Sequence, residues 1–378
     1  MSLLSVENLT VHFRTRRGFS GKSAAVVYAV DGVSFSIEAG ETLALVGESG
    51  SGKTTVAEAV LQLNTPTAGT ICLDGVDLAK LSRRDRLAMK HRVQIVFQDP
   101  YSSLDPRMTV HDLVAEPLHA RKRMRAADVD SRVLSLLEMV GLGTQHLWRR
   151  PHEFSGGQCQ RIAVARALAV DPDLVVLDEP TSALDVSVQA RILVLLQELK
   201  QELGLAYLLI GHDLAVVESV ADKVAVMYSG RLVEAGAAAE VFHRPRHPYT
   251  AALLASVPSP DPEVRSQLGV LQGDVPSSVN PPEGCRFHPR CAYRMPICET
   301  TMPEMRLVDG GTTRACHLPD DALPSAGAGD GGSDWIESSQ LFIDEGVEAS
   351  ADSAAAAAAV LDGRPIDPLG LLNEKDRR

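Results

Sequence analysis

The chain has 378 residues, 45% hydrophobic and 23% charged, with a formal net charge of −12. That suits two or three domains with at least one sizeable core, and it excludes a chain rich enough in basic residues to present a nucleic-acid face. No run approaches the ~18 consecutive apolar residues of a membrane span, and the opening MSLLSVENLT lacks the pattern of a secretory leader. The sequence therefore predicts a cytoplasmic protein whose membrane span, if one is needed, comes from a partner.

Residues 1–46 alternate apolar and polar (LSVENLTVHF, then VDGVSFSI). They predict an antiparallel sheet, with a solvated basic loop, RTRRGFSGK, between its strands. Thr42 to Val46 (TLALV) reads as a strand, and Thr55 to Leu63 as helix-favouring. Between them lies Gly47-Glu48-Ser49-Gly50-Ser51-Gly52-Lys53-Thr54, a fit to G-x-x-x-x-G-K-S/T. Such glycines let backbone N–H groups turn toward phosphate oxygens, and the helix starting at Lys53 points its positive end at the same anion. Lys53 would reach the β- and γ-phosphates of a nucleotide, the Thr54 hydroxyl would ligate Mg2+, and Thr55 continues the cradle.

Strands continue to VQIVFQ, and residues 99–170 then read as a helical insert. Asp128 to Val140 carries apolar positions at helical spacing, with Gly141 as its stop. Phe154-Ser155-Gly156-Gly157-Gln158 precedes a helix-like stretch from Gln160 to Val170, so the Ser-Gly-Gly forms a second phosphate cradle at a helix N-terminus. Asp173 to Leu177 reads as a buried strand that delivers Asp178 and Glu179 to its C-terminal end, where ligands sit in open α/β sheets. Asp178 would hold Mg2+, directly or through water, and Glu179 would act as general base on the attacking water. The helix Val188–Leu203 carries a core stripe of Ile192, Leu196, Leu199 and Leu203. A strand at Ala206–Ile210 and a hairpin turning at Ser229-Gly230 follow. Strands alternating with helices predict an α/β fold with a mainly parallel sheet.

From about residue 243 prolines multiply, which predicts an irregular appendage to 318. Four of the six cysteines, Cys285, Cys291, Cys298 and Cys316, fall in this appendage. In a cytosolic chain this favours a metal or cluster site over disulfides. Four thiolates suit a 4Fe–4S cluster and also tetrahedral Zn2+, for which His288 and His317 are further candidates, and unliganded thiols remain the third reading. Cys72, in an apolar strand, and Cys159 read as inert. Residues 319–378 hold 13 acids against 4 bases, with six alanines at 354–359, and read as a disordered acidic tail.

The ordered set of phosphate loop, FSGGQ, VVLDEP and Ser182-Ala-Leu-Asp185 resembles the ATPase subunits of ABC transporters over residues 1–318. Phe154 departs from that family's usual Leu but keeps an apolar contact. The resemblance implies a P-loop NTPase (RecA-like) core with an N-terminal antiparallel β-subdomain, a helical insert at about 99–170 and a Cys-rich appendage. It places the ATPase domain at 1–242 and the appendage at 243–318. It implies a head-to-tail dimer, with ATP between one subunit's phosphate loop and the other's Ser155–Gln158, and puts Asp185 in the dimer-contact loop. It makes Gln98 (VFQDP) a Mg2+ and permease sensor, His212 (LIGHD) a γ-phosphate contact, and Phe13 or Tyr28 the adenine partner, with Phe13 preferred.

His247-Pro-Tyr-Thr250, GCRFHPRCAYRMPIC and Ala315-Cys316-His317 resemble the tails of oligopeptide and dipeptide importer ATPases, whose four cysteines can hold an iron–sulfur cluster. His247-Pro248-Tyr249 reads as a packing element. The implied function is ATP hydrolysis that powers peptide import, on the cytoplasmic face of the membrane. Its partners would be two integral-membrane permease subunits, a second ATPase subunit (self or sister) and, indirectly, an extracytoplasmic solute-binding protein, with no nucleic acid. An importer ATPase for nickel or another small solute is the alternative. A soluble ATPase of DNA repair or translation is disfavoured, since the chain has one copy of each motif and no heptad run. Intact Lys53, Asp178, Glu179 and His212 disfavour a non-catalytic subunit.

Overall fold

The structure, a computed structural model, describes residues 2–14, 25–120, 125–256, 273–320 and 322–323. All of them belong to one compact unit. The expected basic loop (beyond Arg14) and the acidic tail beyond residue 323, with its alanine run, lie outside the described residues; at the start of that tail Asp320 is held by Arg246, Arg306 and Arg314.

Strand β1 (Leu4–Arg14) buries Leu4, Val6, Leu9 and Val11, the period-2 face its sequence announces. It pairs antiparallel with β2 (Val26–Ile37). Strand β3 (Thr42–Val46) is buried at all five positions and leaves this sheet for the central one. The expectation of one antiparallel sheet over 1–46 is corrected there: a strand covered on both faces needs no polar alternation. After α1 (Lys53–Val60), strands β4 (Ala68–Leu73) and β5 (Val76–Asp77) complete the antiparallel sheet in the order β2-β1-β4-β5.

Helix α2 (Arg83–Arg92) starts on a Ser82 cap and runs into β6 (Val93–Val96). The helical insert follows as α3 (Pro100–Ser103), α4 (Val110–Ala120), α5 (Ala126–Met139) and α6 (Gly156–Leu168). Helix α5 buries Val129, Val133, Leu136 and Leu137 and stops before Gly141 at φ 72. The chain then alternates through β7 (Leu174–Asp178), α7 (Val186–Leu203), β8 (Ala206–Gly211), α8 (Leu214–Val220), β9 (Lys223–Tyr228) and β10 (Arg231–Ala237). In α7 the core residues are Ile192, Leu195, Leu196 and Leu199. Leu203, expected in the stripe, is exposed because it is the last helical residue before the left-handed Gly204. Ser229 and Gly230, both at positive φ, turn the β9–β10 hairpin.

After α9 (Ala238–His243) the appendage begins with α10 (Pro248–Ala255). It continues through α11 (Ile297–Thr300), β11 (Arg306–Leu307) and β12 (Thr313–Arg314). Its two short strands extend the main sheet, whose order is β11-β12-β10-β9-β3-β8-β7-β6, with β9 through β6 parallel. Alternate residues of β3 serve two cores. Leu43 and Leu45 pack with α1 and the antiparallel sheet, and Ala44 and Val46 pack toward the helical insert. Burial on both faces fixes the register, since a one-residue slip would exchange the two sets.

Glu234 on β10 ties the appendage down. Its carboxylate accepts the N–H groups of Arg246 (2.7 Å) and His247 (2.9 Å), and His247 Nδ1 in turn accepts Tyr249 N–H (3.0 Å). Burial pushes the Glu234 carboxyl up to about 7, against the N–H bonds from Arg246 and His247 and the charge of Arg314. Burial holds His247 down to about 3, so it stays neutral. Because the Glu234 value is raised on folding from 4.5, its contribution to stability is greatest below 4.5 and falls as pH rises through about 7. Thermal melts across that range should show the wild type losing stability relative to Glu234→Gln. A constant difference would contradict the assignment.

Candidate nucleotide site

The loop from Gly47 to Gly52 leaves the C-terminal end of β3 and enters α1. Gly47, Gly50 and Gly52 lie at φ 149, 78 and 107. A Cβ on Gly47 would strike the Met227 carbonyl oxygen, and one on Gly52 the Ala29 carbonyl oxygen. Hence the loop threads between β2 and β9 with no space for side chains at these two points. The Ser51 carbonyl accepts Gly230 N–H (2.8 Å), which pins the loop to the hairpin turn. Lys53 is 6% exposed, and its Nζ donates to the carbonyls of Gly47 (2.7 Å) and Glu48 (3.0 Å). Burial lowers its pKa, while the negative charges of Glu179, Asp178 and Glu48 work to keep it protonated.

Opposite this loop β7 delivers Asp178 and Glu179. Glu179 sits at φ 46, its N–H donating to the Ile210 carbonyl (2.9 Å). Its carboxylate is held from two sides: Gln98 Nε2 donates to Oε2 (2.9 Å), and His212 Nδ1 stands 3.1 Å from Oε1. Burial raises the pKa of Asp178, the Glu179 charge adds to this, and Lys53 opposes it.

An open cleft of about 710 Å³ brings together Phe13, Ser49, Gly50, Gly52, Lys53, Thr54, Thr55, Gln98, Glu179 and His212, with Val27, Ala29 and Ser278. Tyr28 does not line it; its ring packs edge-on against His12, centroids 4.6 Å apart. Phe13, 40% exposed, presents the aromatic face. Thr54 and Gln98 in the cleft, and Asp178 beside Lys53, offer the oxygen donors that a hard divalent cation takes. A phosphate cradle, a buried ammonium and a carboxylate held by an amide and an imidazole suit a nucleotide phosphate next to an attacking water.

Ser155, Gly156, Gly157 and Gln158 stand apart from this cleft's lining. They open α6 with a capping box, Ser155 Oγ accepting Gln158 N–H (3.4 Å) and Gln158 Oε1 accepting Ser155 N–H (3.1 Å). A Cβ on Gly157 would strike Val188 of α7, and one on Gly156 would press on Leu184 at 3.2 Å, so the residues around Asp185 pack beneath this turn.

The four clustered cysteines are free thiols. Burial pushes Cys285 and Cys291 up to about 11 and also raises Cys316, while backbone N–H groups of Phe287, Tyr293, Leu318 and His317 work against these shifts. The thiols sense one another's charge, and the amide donors suit ligated sulfur. Yet among the described residues no three His, Cys, Asp or Glu side chains converge where a metal could sit. His288 Nδ1 lies 2.9 Å from the Cys285 carbonyl and His317 Nε2 2.9 Å from that of Thr301. Cys159 is buried and Cys72 lies in β4, both free.

Sequence reading missed a set of contacts from the appendage. Arg290 forms a two-point ion pair with Glu48 of the phosphate loop, and the Tyr249 hydroxyl accepts Glu48 N–H. The Ser278 carbonyl accepts Tyr28 N–H (2.8 Å), and Arg286 bonds Asp31 and the Ser229 carbonyl. A basic residue 242 positions from its acidic partner leaves no local signal.

Fold and cleft together define a nucleotide-hydrolysing cassette, an ATPase. Residues 30–182 match the ABC transporter family, and residues 233–298 match the oligopeptide/dipeptide transporter C-terminal region. The dipeptide transport ATP-binding protein DppF of Escherichia coli is 45% identical over 84% of this chain and 95% of that protein. A Brucella ovis protein named "Putative peptide import ATP-binding protein" is 48% identical over 83% of this chain and 97% of its own. Among solved structures, cbiO1 of Clostridium perfringens, part of the transporter complex cbiONQ, aligns with TM-score 0.56 and 29% identity. That alignment covers 64% of this chain and 91% of that one. A dimeric ATP-binding cassette in a post-hydrolysis state with ADP and Pi aligns with TM-score 0.55 and 28% identity, over 62% and 98%. The chain belongs to the ATP-binding subunits of ABC transporters, in the oligopeptide/dipeptide branch. Among the described residues no helix is long and apolar enough to cross a membrane.

Gly52→Ala should fail to hold nucleotide and cost about 2 kcal/mol or more of stability, since it combines strained φ with a backbone collision. Wild-type binding of a fluorescent ATP analogue by this variant would refute the packing argument.

Proposed function

We propose that this chain binds Mg–ATP in the cleft beside Lys53 and hydrolyses it to power peptide import through a membrane permease. The observation that carries the reading is the Glu179 carboxylate, held by Gln98 and His212 across the cleft from the phosphate loop. In this reading the loop N–H groups and Lys53 bind the phosphates. Thr54, Asp178 and Gln98 would hold Mg2+, which would offset phosphate charge. Glu179 takes the proton of the attacking water, His212 orients its carboxylate and meets the γ-phosphate, and Phe13 stacks on the base. Relatives named for peptide and dipeptide import, together with the match at 233–298, favour peptide over nickel as the solute class.

The reading includes a two-subunit assembly. Ser155–Gln158 lie outside their own chain's cleft, so a second ATPase subunit, identical or sister, would bring its turn to the terminal phosphate, with Asp185 near the contact. Two permease subunits in the membrane would receive the motion near Gln98 and the helical insert, with a solute-binding protein on the far side. The ATPase part spans 1–242, the Cys-rich part 243–318 and the acidic tail 319–378.

Glu179→Gln should keep ATP affinity and lose turnover by at least about a hundredfold. Lys53→Ala should weaken ATP binding about tenfold or more. Phosphate release by Glu179→Gln at the parental rate, or unchanged calorimetric affinity in Lys53→Ala, would sink these roles.

Cys285, Cys291, Cys298 and Cys316 are proposed as ligands of a 4Fe–4S cluster, with zinc as the alternative. The backbone N–H groups that face Cys285, Cys291 and Cys316 support this. Protein purified without oxygen should carry iron and acid-labile sulfide, or else stoichiometric zinc. The absence of all three would leave the thiols unliganded.

A further inference from the structure

The phosphate loop of this chain carries its own acid. Glu48, its second residue, lies just behind the cleft lining: its carbonyl accepts Lys53 Nζ (3.0 Å), and its carboxylate charge reaches that ammonium. Left alone, such a carboxylate would repel the ligand. It is not left alone. Arg290 Nη1 donates to Glu48 Oε2 (2.6 Å) and Nη2 to Oε1 (3.0 Å), a fork-on-fork pair. The arginine side chain is only 5% exposed and its guanidinium lies 5.9 Å from the Tyr228 ring centroid. Tyr249 fixes the Glu48 backbone by accepting its N–H (2.9 Å). Both partners come from beyond residue 242, and Ser278 from the same segment lines the cleft itself.

We propose that Arg290 is a positioning residue of the nucleotide site: it neutralises and orients the Glu48 carboxylate, so the phosphate loop meets ATP without an uncovered negative charge while the cysteine-rich segment is seated on it. The inference rests on the reading that ATP binds beside Lys53. Arg290 immediately precedes Cys291, so any change that unseats that cysteine's turn acts on the same ion pair.

The test compares ATP binding by calorimetry and steady-state ATPase kinetics in the full chain for wild type, Arg290→Gln, Arg290→Lys, Glu48→Gln and the Arg290→Gln/Glu48→Gln pair, at low and high salt. Arg290→Gln should weaken ATP binding about tenfold at low salt and less at high salt, because an uncovered charge is screened. The effect should fall on KM, with kcat within about twofold. Arg290→Lys should recover part of the loss, and removing the carboxylate as well should recover most of it. A purely structural arginine would show neither recovery nor salt dependence. If Arg290→Gln does not fold, Arg290→Lys still decides: it keeps the charge but loses the two-point bond, so it should bind ATP more weakly than wild type at low salt, and wild-type affinity would overturn the proposal. Unchanged affinity in Arg290→Gln would overturn it too. Wild-type protein that bound no ATP would instead overturn the reading of the site.

Discussion

A backbone segment that presents its N–H groups to an anion has no room for side chains where neighbouring strands press on it. In this chain that constraint falls on Gly47 and Gly52, whose missing Cβ atoms would collide with carbonyls of Met227 and Ala29. The consequences spread outward. Strand β3 must sit between β8 and β9 to deliver the loop, and the hairpin turn must lie close enough for Gly230 to hold Ser51. Strand β2 must pass over the loop from the other sheet. The two hydrophobic clusters on either face of β3 hold these pieces in register at once.

The cleft has a division of labour that follows from its elements. The parallel strands end on one side with groups that carry protons or hold those that do: Asp178 at the end of β7 and Glu179 just beyond it, His212 after β8, Gln98 after β6. The antiparallel sheet contributes an aromatic surface, Phe13, and among the described residues carries no titrating group into the cleft. The turn at Ser155–Gln158 is built to the same electrostatic design as the phosphate loop but faces elsewhere, which is why an assembly of two chains belongs to the functional reading.

Much of this was legible in residue order. Local motifs carry their own geometry, so the phosphate loop, the Asp-Glu pair after a buried strand and the Ser-Gly-Gly helix start could be placed without coordinates. Period-2 and period-3.6 patterns located β1 and α5. What failed to show had nonlocal causes. Strand β3 changed sheets because burial on both faces erases alternation. Leu203 is the exception with a local cause, since the left-handed Gly204 after it makes it a helix end rather than core. Tyr28 and Phe13 lie on one sheet, and only the register of β1 against β2 tells which of them reaches the cleft. The grip of Arg290 on Glu48, and of Arg286 on Asp31, depends on how the appendage folds back, and no spacing rule encodes that. The cysteines show the converse: their clustering in sequence is plain, while their convergence in space is incomplete.

The appendage also finishes the main sheet. Beyond β10 the sheet ends in β12 and β11, each two residues long, so its margin is ragged. A brief border of this kind offers almost no row of unpaired amides for a stray chain to zip onto. A protein that is to meet its neighbours through chosen surfaces is thereby shielded from uncontrolled edge-to-edge stacking.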